Sequence, residues 1–275
     1  MKLRRIYTLH GQFRFVDPAW KQAVEDSEIC YFPGWGKIVP RDAISNNPGN
    51  TSQVFRIATT RGNLVFKRYT PAKWRFFLRA SKASNEWRGL KSFGDIGIPV
   101  PELVAFGEDR EFGRLVAGYI ITSEIPEASD LERYSVQDWF PRSTAEKEEI
   151  FVELRSQLFE LIKKSHAHNL FHQDLNWRNI LVNQEQGKLK LWWIDCPRFT
   201  SGVLNRKHSI LVDLSCISRV ALSMMTRSQR FCSLLMFFDG DKEQTEKWFR
   251  EIEFHHRRSR NKPRLFDPAK RIFDD

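Results

Sequence analysis

The sequence lacks a long hydrophobic run and lacks a recognisable export signal. Its longest apolar stretch, residues 231–238, is interrupted by Ser233 and is far shorter than the roughly 18 residues that span a membrane. Residues 1–17 carry basic side chains but no apolar core of the kind found in secretory signals. With 41% apolar residues, the 275-residue chain can fill the core of one large domain or two lobes, so we expect a soluble, cytoplasmic protein.

Cysteine is also scarce. The sequence has four, at positions that we list here: Cys30, Cys196, Cys216 and Cys232. They include no Cys-x-x-Cys pair and have no histidine at zinc-finger spacing, which excludes a disulfide framework and a structural zinc site. We expect buried free thiols in a reducing compartment.

Acidic residues are outnumbered by basic ones, 34 to 44, which gives a formal net charge of +10. This surplus favours anionic partners such as a nucleotide, a phospholipid or an acidic glycan. Basic residues are concentrated in residues 67–91 and in residues 255–264. Residues 73–79 alternate basic and aromatic side chains, which fits an amphipathic helix on the first lobe or a patch that meets anionic lipid. No nucleic-acid motif is present, so nucleic acid is not an expected partner.

The pattern along the chain predicts an α+β protein with two lobes. We place a strand-rich lobe at residues 1–122, a polar connector at 123–130 and a helix-rich lobe at 131–275. In the first lobe, strands are predicted at residues 53–57, 64–67, 103–106 and 115–122, with a helical stretch at 72–93 that is broken near residues 81–84. In the second lobe, we predict helices at residues 145–168, 212–225, 227–238 and 242–254, and strands at 180–182 and 189–194.

The densest chemical signal lies in residues 171–182, FHQDLNWRNILV. Asp174 can accept or orient a hydroxyl proton, and Asn179, five positions later, can hold a metal ion on the same loop. Asp195 follows an apolar strand and supplies the kind of oxygen ligand that Mg²⁺ prefers.

A lysine on a strand completes the set. Lys67 lies in an apolar strand, where an unpaired ammonium would be costly, and Glu86 follows 19 residues later in the helical stretch. Taken singly, each residue fits an ordinary surface position. Together and in this order, they predict a kinase-type phosphotransferase with an alcohol group as acceptor.

At these residues the sequence resembles the bacterial lipopolysaccharide core kinases of the Kdo/WaaP and InaA-like type, which have a protein-kinase-like fold. The resemblance covers about residues 49–220, and the motifs that carry it are VFKRY at 65–69, SNEW at 84–87, GIPVP at 97–101, residues 171–182, WID at 193–195 and DL at 213–214.

The resemblance implies a role for each motif residue. Lys67 would bind the α- and β-phosphates of ATP, and Glu86 would hold Lys67. Asp174 would be the catalytic base, and Asn179 and Asp195 would be Mg²⁺ ligands. Two residues, His172 and Asp213, would support the catalytic loop, and Gly49 would lie in the loop that covers the phosphates. The acceptor would be a heptose or Kdo hydroxyl of an anionic glycolipid, the lipopolysaccharide core, at the cytoplasmic face of the inner membrane.

Several departures from protein kinases point to a preformed site for a non-protein acceptor. Gln173 stands where protein kinases have an arginine that reads an activation-loop phosphate. Cys196-Pro197 replaces the usual Phe-Gly, and only 17 residues separate Asp195 from Asp213. Gly49 is alone where three glycines are usual. The alternatives are a kinase of another small molecule or of a protein, and a nucleotide-binding pseudokinase. Nothing indicates an obligate protein partner.

Two neighbouring pairs of residues have structural interpretations. Trp192 and Trp193 are adjacent on a strand, and we predict that they pack one to each side of it. His166 and His168 close a helix, where we predict that they cap backbone carbonyls.

Overall fold

The computed structural model describes residues 11–27, 43–45, 52–69 and 80–258. These residues form two compact units. The first contains the described residues through Lys91 together with Pro101–Ile125, and the second contains Ser92–Val100 and the residues from Pro126 onward. The sequence analysis assigned residues 92–100 to the first lobe, whereas the structure groups them with the second unit. Gly49, residues 73–79 and residues 259–264 lie outside the described residues.

The first unit is built on an antiparallel six-stranded sheet with the strand order β1-β5-β6-β4-β3-β2. Its elements, in chain order, are β1 (Gly11–Val16), α1 (Lys21–Asp26), β2 (Ala43–Ser45), β3 (Ser52–Thr59), β4 (Gly62–Tyr69), α2 (Lys82–Asp95), β5 (Leu103–Glu111) and β6 (Arg114–Ser123). The four predicted strands correspond to β3, β4, β5 and β6, so these predictions are confirmed. The first part of the predicted helical stretch is outside the described residues.

Alternation along β4 separates a core face from a chemical face. Leu64 and Phe66 are buried in the cluster that forms the core of the first unit, whereas Lys67 and Tyr69 lie on the opposite face of the strand. On α2, Glu86 and Trp87 lie on the buried side of the helix. The ring of Trp87 stacks on that of Phe106 from β5, with a centroid separation of 5.2 Å. This packing fixes α2 against the sheet.

The second unit is mostly helical and also contains two small antiparallel sheets, with the strand orders β10-β9-β7 and β11-β8. Its elements are β7 (Ser129–Asp130), α3 (Leu131–Tyr134), a π-helical segment (Ser135–Trp139), α4 (Thr144–Ala167), β8 (Leu170–Phe171), a 3₁₀ turn (Trp177–Asn179), β9 (Ile180–Glu185), β10 (Lys188–Trp193), β11 (Thr200–Ser201), α5 (Arg206–Met224), α6 (Arg227–Phe237) and α7 (Lys242–Arg258).

Helix α4 follows the predicted boundaries within one residue at each end. It begins with a capping box in which Ser143 and Glu146 bond each other's backbone N–H groups. Helix α5 begins at Arg206, six residues before the predicted start at residue 212. Its first residues are polar and exposed, so they carry no apolar periodicity that could reveal a helix.

The tryptophan and cysteine predictions have different outcomes. Trp193 is buried and Trp192 is only half-buried, with Lys190 Nζ lying 4.2 Å from its ring centroid, so the prediction of packing on opposite sides is confirmed. Cys196 and Cys216 are buried free thiols, and burial raises the pKa of Cys216 to about 11. Cys232 is exposed on α6, which corrects the expectation that it is buried. Among the described residues, no helix combines the length and apolarity needed to cross a bilayer.

Candidate active site

The loop between β8 and β9 brings Asp174 and Asn179 together. The Nδ2 group of Asn179 donates a hydrogen bond of 2.7 Å to the backbone oxygen of Asp174. The side chain of Asn176 donates to Asp174 Oδ1 and thereby orients the carboxylate. Asn179 is buried, whereas Asp174 is partly exposed. The loop therefore presents one oriented carboxylate on a backbone that is tied at both ends.

Asp213, on α5, supports this loop from behind. Its Oδ1 accepts a hydrogen bond of 2.6 Å from the backbone N–H of Gln173, and its Oδ2 accepts one of 3.2 Å from the backbone N–H of His172. Gln173 has a φ of 64°, a left-handed conformation that is uncommon for a residue other than glycine. The side chain of Gln173 donates a further bond of 3.0 Å to the backbone oxygen of Ser209. These contacts hold the unusual backbone in place.

His172 joins the catalytic loop to the segment that carries Asp195. Its Nε2 donates a hydrogen bond of 3.0 Å to the backbone oxygen of Ile194, and its ring stacks on Phe93 at 6.0 Å between centroids. The side chain is fully buried, and burial lowers the pKa of His172 below its ordinary value. A neutral imidazole in this position acts as a spacer rather than as a charge.

Asp195 and Asn179 lie at the same end of the β9–β10 hairpin. Trp193 pairs with Ile180 in the ladder, and the next backbone bond runs from the Ile194 N–H to the Asn179 oxygen at 3.0 Å. Asp195 follows at once with a φ of 56°. Sequence residues that are 16 positions apart by number are thus brought to one place by the register of two short strands.

This donor set fits Mg²⁺. A carboxylate and an amide oxygen are hard oxygen ligands, and the Nδ2 of Asn179 is already engaged with Asp174, which turns its Oδ1 to the other side. In the described part of the chain, no three His, Cys, Asp or Glu side chains cluster as a metal site. A Mg²⁺ ion here would complete its coordination with phosphate and water oxygens, as this ion usually does.

The first unit holds the Lys67–Glu86 pair. Lys67 Nζ lies 3.4 Å from Glu86 Oε1, and the two side chains are only 11% and 5% exposed. The hydroxyl of Tyr69 donates a hydrogen bond to the other carboxylate oxygen of Glu86. The ring of Tyr69 also lies beside the ammonium, 5.1 Å from its centroid to Lys67 Nζ. Because Glu86 is held by two neighbours, it fixes the position of the Lys67 ammonium.

Three residues of these clusters were not predicted from the sequence. Tyr69 lies two residues after Lys67, and the two-residue period of a strand is a signal that could have placed it on the same face. His166 continues the buried series Leu158–Ile162 at intervals of four, so its burial was also readable. Asn176 has no signal of its own beyond its place in the motif.

The prediction that His166 caps the end of α4 is wrong. His166 is buried, and its Nε2 lies 3.2 Å from Asp213 Oδ2, because the last turn of α4 packs against α5 in the core. His168 does act as predicted, since its Nδ1 donates to the backbone oxygen of Lys164 at 2.9 Å.

Comparison with known proteins identifies the family and the fold. Residues 57–232 match the profile of the family described as "Lipopolysaccharide kinase (Kdo/WaaP) family". A solved structure described as WaaP in complex with acyl carrier protein has a TM-score of 0.61 and 18% identity, and the similarity covers 88% of this chain and 98% of that chain. This likeness confirms the predicted α+β, protein-kinase-like fold class.

Curated relatives carry one name, 3-deoxy-D-manno-octulosonic acid (Kdo) kinase. The protein of Haemophilus influenzae (strain 86-028NP) is 29% identical over 119 residues, 43% of this chain and 45% of the relative. That of Pasteurella multocida (strain Pm70) is 32% identical over 154 residues, 49% of this chain and 57% of the relative. The chain spans about half the length of the curated relatives that it matches. The family profile covers well over half of the 275 residues and includes every described motif residue from Lys67 to Asp213, so the chain belongs to the lipopolysaccharide kinase (Kdo/WaaP) family.

Proposed function

We propose that this chain transfers the γ-phosphoryl group of Mg·ATP to a sugar hydroxyl, of heptose or Kdo, in the lipopolysaccharide core. One observation carries the proposal: Asp174 is oriented by Asn176 and tied to Asn179, on a loop that Asp213 holds from behind. Of the two sugars, Kdo is the first to test, because the curated relatives are named for it.

The residues of the catalytic loop have simple tasks in this reaction. Phosphoryl transfer passes through a loose transition state, so a protein contributes mainly by positioning and by electrostatic stabilisation. Asp174 would accept the hydrogen bond of the acceptor hydroxyl and take its proton as the new bond forms. Lys67, held by Glu86, would bind the α- and β-phosphates of ATP.

Asn179 and Asp195 would hold Mg²⁺. When bound, the ion supplies positive charge that neutralises the phosphate oxygens during transfer. Both residues have backbones fixed by the β9–β10 ladder, and Asn179 is fixed in addition by its bond to Asp174. The oxygen ligands are thus oriented in advance.

The segment after Asp195 supports a non-protein acceptor and a site that needs no activation. Gln173 donates to the backbone of Ser209, so its side chain serves an internal contact where protein kinases read a phosphate. Only 17 residues lie between Asp195 and Asp213, which leaves little chain for a peptide-docking platform. With a glycolipid acceptor, the enzyme would work in the cytoplasm at the inner face of the inner membrane.

The test is label transfer from γ-labelled ATP. The protein, Asp174→Asn and the exposed control Asp239→Asn would each be offered Kdo-bearing lipopolysaccharide, heptose-bearing lipopolysaccharide, total protein extract and no acceptor. Asp174→Asn should lower turnover by about 10²- to 10⁴-fold while nucleotide binding persists, and the control should not. Turnover of Asp174→Asn within about tenfold of the parent would overturn its role as base. Label in the protein extract alone would indicate a protein kinase, and lack of nucleotide binding would indicate a pseudokinase.

A protein partner is a second proposal for the same chain, and it revises the expectation of none. The WaaP neighbour was solved in complex with acyl carrier protein. The second unit of this chain has an apolar cavity of about 130 Å³ among α4, α5, α6 and α7, lined mainly by aliphatic and aromatic side chains, with Arg155 and Arg230 beside them. Such a cavity suits an acyl chain. We expect acylated, and not unacylated, acyl carrier protein to co-elute with this chain in gel filtration and to raise its melting temperature.

A further inference from the structure

Two aliphatic side chains protrude between β11 and α5. Val203 is 75% exposed and Leu204 is 85% exposed, the highest value among the large apolar side chains of the described residues. We call this feature the 203–204 tip. Exposed aliphatic residues on a soluble protein are ordinary when single, but adjacent pairs at a turn are a potential interaction site.

The 203–204 tip is fixed to the catalytic loop. The Gly202 N–H donates a hydrogen bond of 2.9 Å to the backbone oxygen of Asn169, and Thr200 pairs with Phe171, the residue that precedes His172. On the other side, Arg206 Nε donates to Asn169 Oδ1 at 3.0 Å. Gly202 has a φ of 104°, so the turn needs a residue without a side chain at that point. The tip is therefore presented by bonded backbone on both sides.

The charge around the tip has one sign. Between Asp195 and Asp213 the sequence has no acidic residue, and Arg198, Arg206 and Lys207 in that segment are all exposed. Lys207 bonds Glu251 at 2.7 Å but its side chain remains 62% exposed. Aliphatic residues flanked by cations, with no acid nearby in the chain, are typical of segments that bind the interface of an anionic membrane.

We propose that the 203–204 tip inserts into the interface of a bilayer that contains anionic phospholipid, with Arg198, Arg206 and Lys207 at the head groups. A bilayer accepts a convex tip without a preformed pocket, whereas a protein partner would need a matching concavity. The proposal rests on the proposed function, because an acceptor that is itself a membrane glycolipid gives the catalytic loop a reason to be held at the lipid surface.

The first test measures vesicle binding without nucleotide. The full chain is floated with vesicles of phosphatidylethanolamine and phosphatidylglycerol, and with vesicles of phosphatidylcholine alone. The double variant Val203→Ser/Leu204→Ser should bind the anionic vesicles about tenfold more weakly or worse, because it loses both aliphatic groups. Arg198→Gln/Lys207→Gln should weaken binding several-fold and reduce its dependence on salt.

The control is Val152→Ser. Val152 is an aliphatic residue on α4 that is 52% exposed, but it lies among Glu148, Glu149 and Glu153. Its replacement should leave vesicle binding unchanged. Binding that both double variants retain in full, or absence of binding by the unaltered chain, overturns the proposal. Melting temperatures of all variants verify that they fold.

A fluorophore reports insertion directly. In a protein with Cys30→Ser and Cys232→Ser, an environment-sensitive label at Leu204→Cys should shift to shorter wavelength with anionic vesicles and should be quenched by a lipid-borne quencher. The same label at Val152→Cys should do neither. A label at residue 204 that keeps its aqueous spectrum on bound vesicles overturns the proposal, as it would if an unrelated surface held the membrane.

Two acceptors separate failure of the tip from failure of the kinase. The Val203→Ser/Leu204→Ser variant should phosphorylate soluble, deacylated core sugar as the parent does, and vesicle-embedded lipopolysaccharide about tenfold less well or worse. Equal losses on both acceptors overturn the membrane role. Tip-dependent vesicle binding with no phosphorylation of either acceptor supports the tip and overturns the proposed function instead.

Discussion

Asp213 Oδ1 accepts a hydrogen bond of 2.6 Å from the backbone N–H of Gln173. The second oxygen of the same buried carboxylate serves the N–H of His172 and lies 3.2 Å from the Nε2 of His166. One side chain on α5 thereby sets the backbone immediately before Asp174. The position of the candidate base depends on the packing of α4 against α5, and not on the loop alone.

Asp213→Asn should damage both stability and turnover. An amide offers one acceptor oxygen in place of two, so one buried backbone N–H would be left without its bond, at a cost of about 1–3 kcal/mol. We expect a lower free energy of unfolding in urea and a lower kcat, with the KM for ATP little changed. The control Asp239→Asn removes a carboxylate that is 82% exposed and paired with Lys163, so it should change stability by less than about 1 kcal/mol. A stable Asp213→Asn protein with the parent kcat would contradict the supporting role.

Tyr69 and Lys67 should act on ATP through the same carboxylate. Tyr69→Phe removes the hydroxyl that holds Glu86, a bond to a charged acceptor worth about 1.5–3 kcal/mol. We expect a weaker affinity for ATP, measured by calorimetry, and a lower melting temperature. In a double-mutant cycle with Glu86→Gln, the two effects should be strongly non-additive.

The exposed pair Lys21–Glu25 provides the comparison for this cycle. Its atoms are 3.9 Å apart and its side chains are 69% and 46% exposed. Glu25→Gln should therefore change neither stability nor ATP affinity measurably. Additive effects of Tyr69→Phe and Glu86→Gln would show that the hydroxyl does not act through Glu86.

Asn179→Ala should change the dependence on Mg²⁺. We expect the Mg²⁺ concentration for half-maximal turnover to rise, and Mn²⁺ binding in the presence of ATP, followed by electron paramagnetic resonance, to weaken by about tenfold or more. Asn183→Ala is the matched control, because Asn183 is a buried asparagine of the same hairpin whose Oδ1 accepts from Trp192 Nε1 at 2.9 Å. It should lose stability without altering the metal requirement. Equal metal dependence in the two variants would remove Asn179 from the metal site.

The sequence predicted the local elements well because their signals are local. The alternation of Leu64 and Phe66 with polar neighbours identifies a strand, and the i, i+4 series of Leu154, Leu158 and Ile162 identifies α4. The motif residues then fall on these elements in the expected order. Lys67 and Glu86, predicted as a pair, are found 3.4 Å apart.

The remaining contacts depend on packing between elements that are distant in sequence. Nothing local to His166 shows that α5 will bring Asp213 beside it, and a polar residue in a last helical turn is more often a cap. The start of α5 was predicted too late because its first turn presents polar residues to solvent. Cys232 was placed inside because cysteine is usually buried, whereas the face of α6 that packs is set by Phe237 and its neighbours.

His256 should make the second unit sensitive to acid. Burial, with a contribution from Arg219, lowers the pKa of His256 from 6.5 to about 4, and its Nε2 lies 3.0 Å from Ser218 Oγ. Above pH 6.5 neither the folded nor the unfolded chain is protonated there. Between pH 6.5 and about 4 the unfolded chain takes up a proton that the folded chain does not, so stability falls as the pH decreases through this window.

His256→Gln should flatten that decline while changing stability little at neutral pH, measured as the urea midpoint at successive pH values. The control His208→Gln, at an exposed position of α5, should keep the slope of the parent. Some acid sensitivity will remain in His256→Gln, because burial also lowers the pKa of His172. If the acid limb of His256→Gln matched that of the parent, the loss of stability would have to come from other groups, and the buried neutral state of His256 would be wrong.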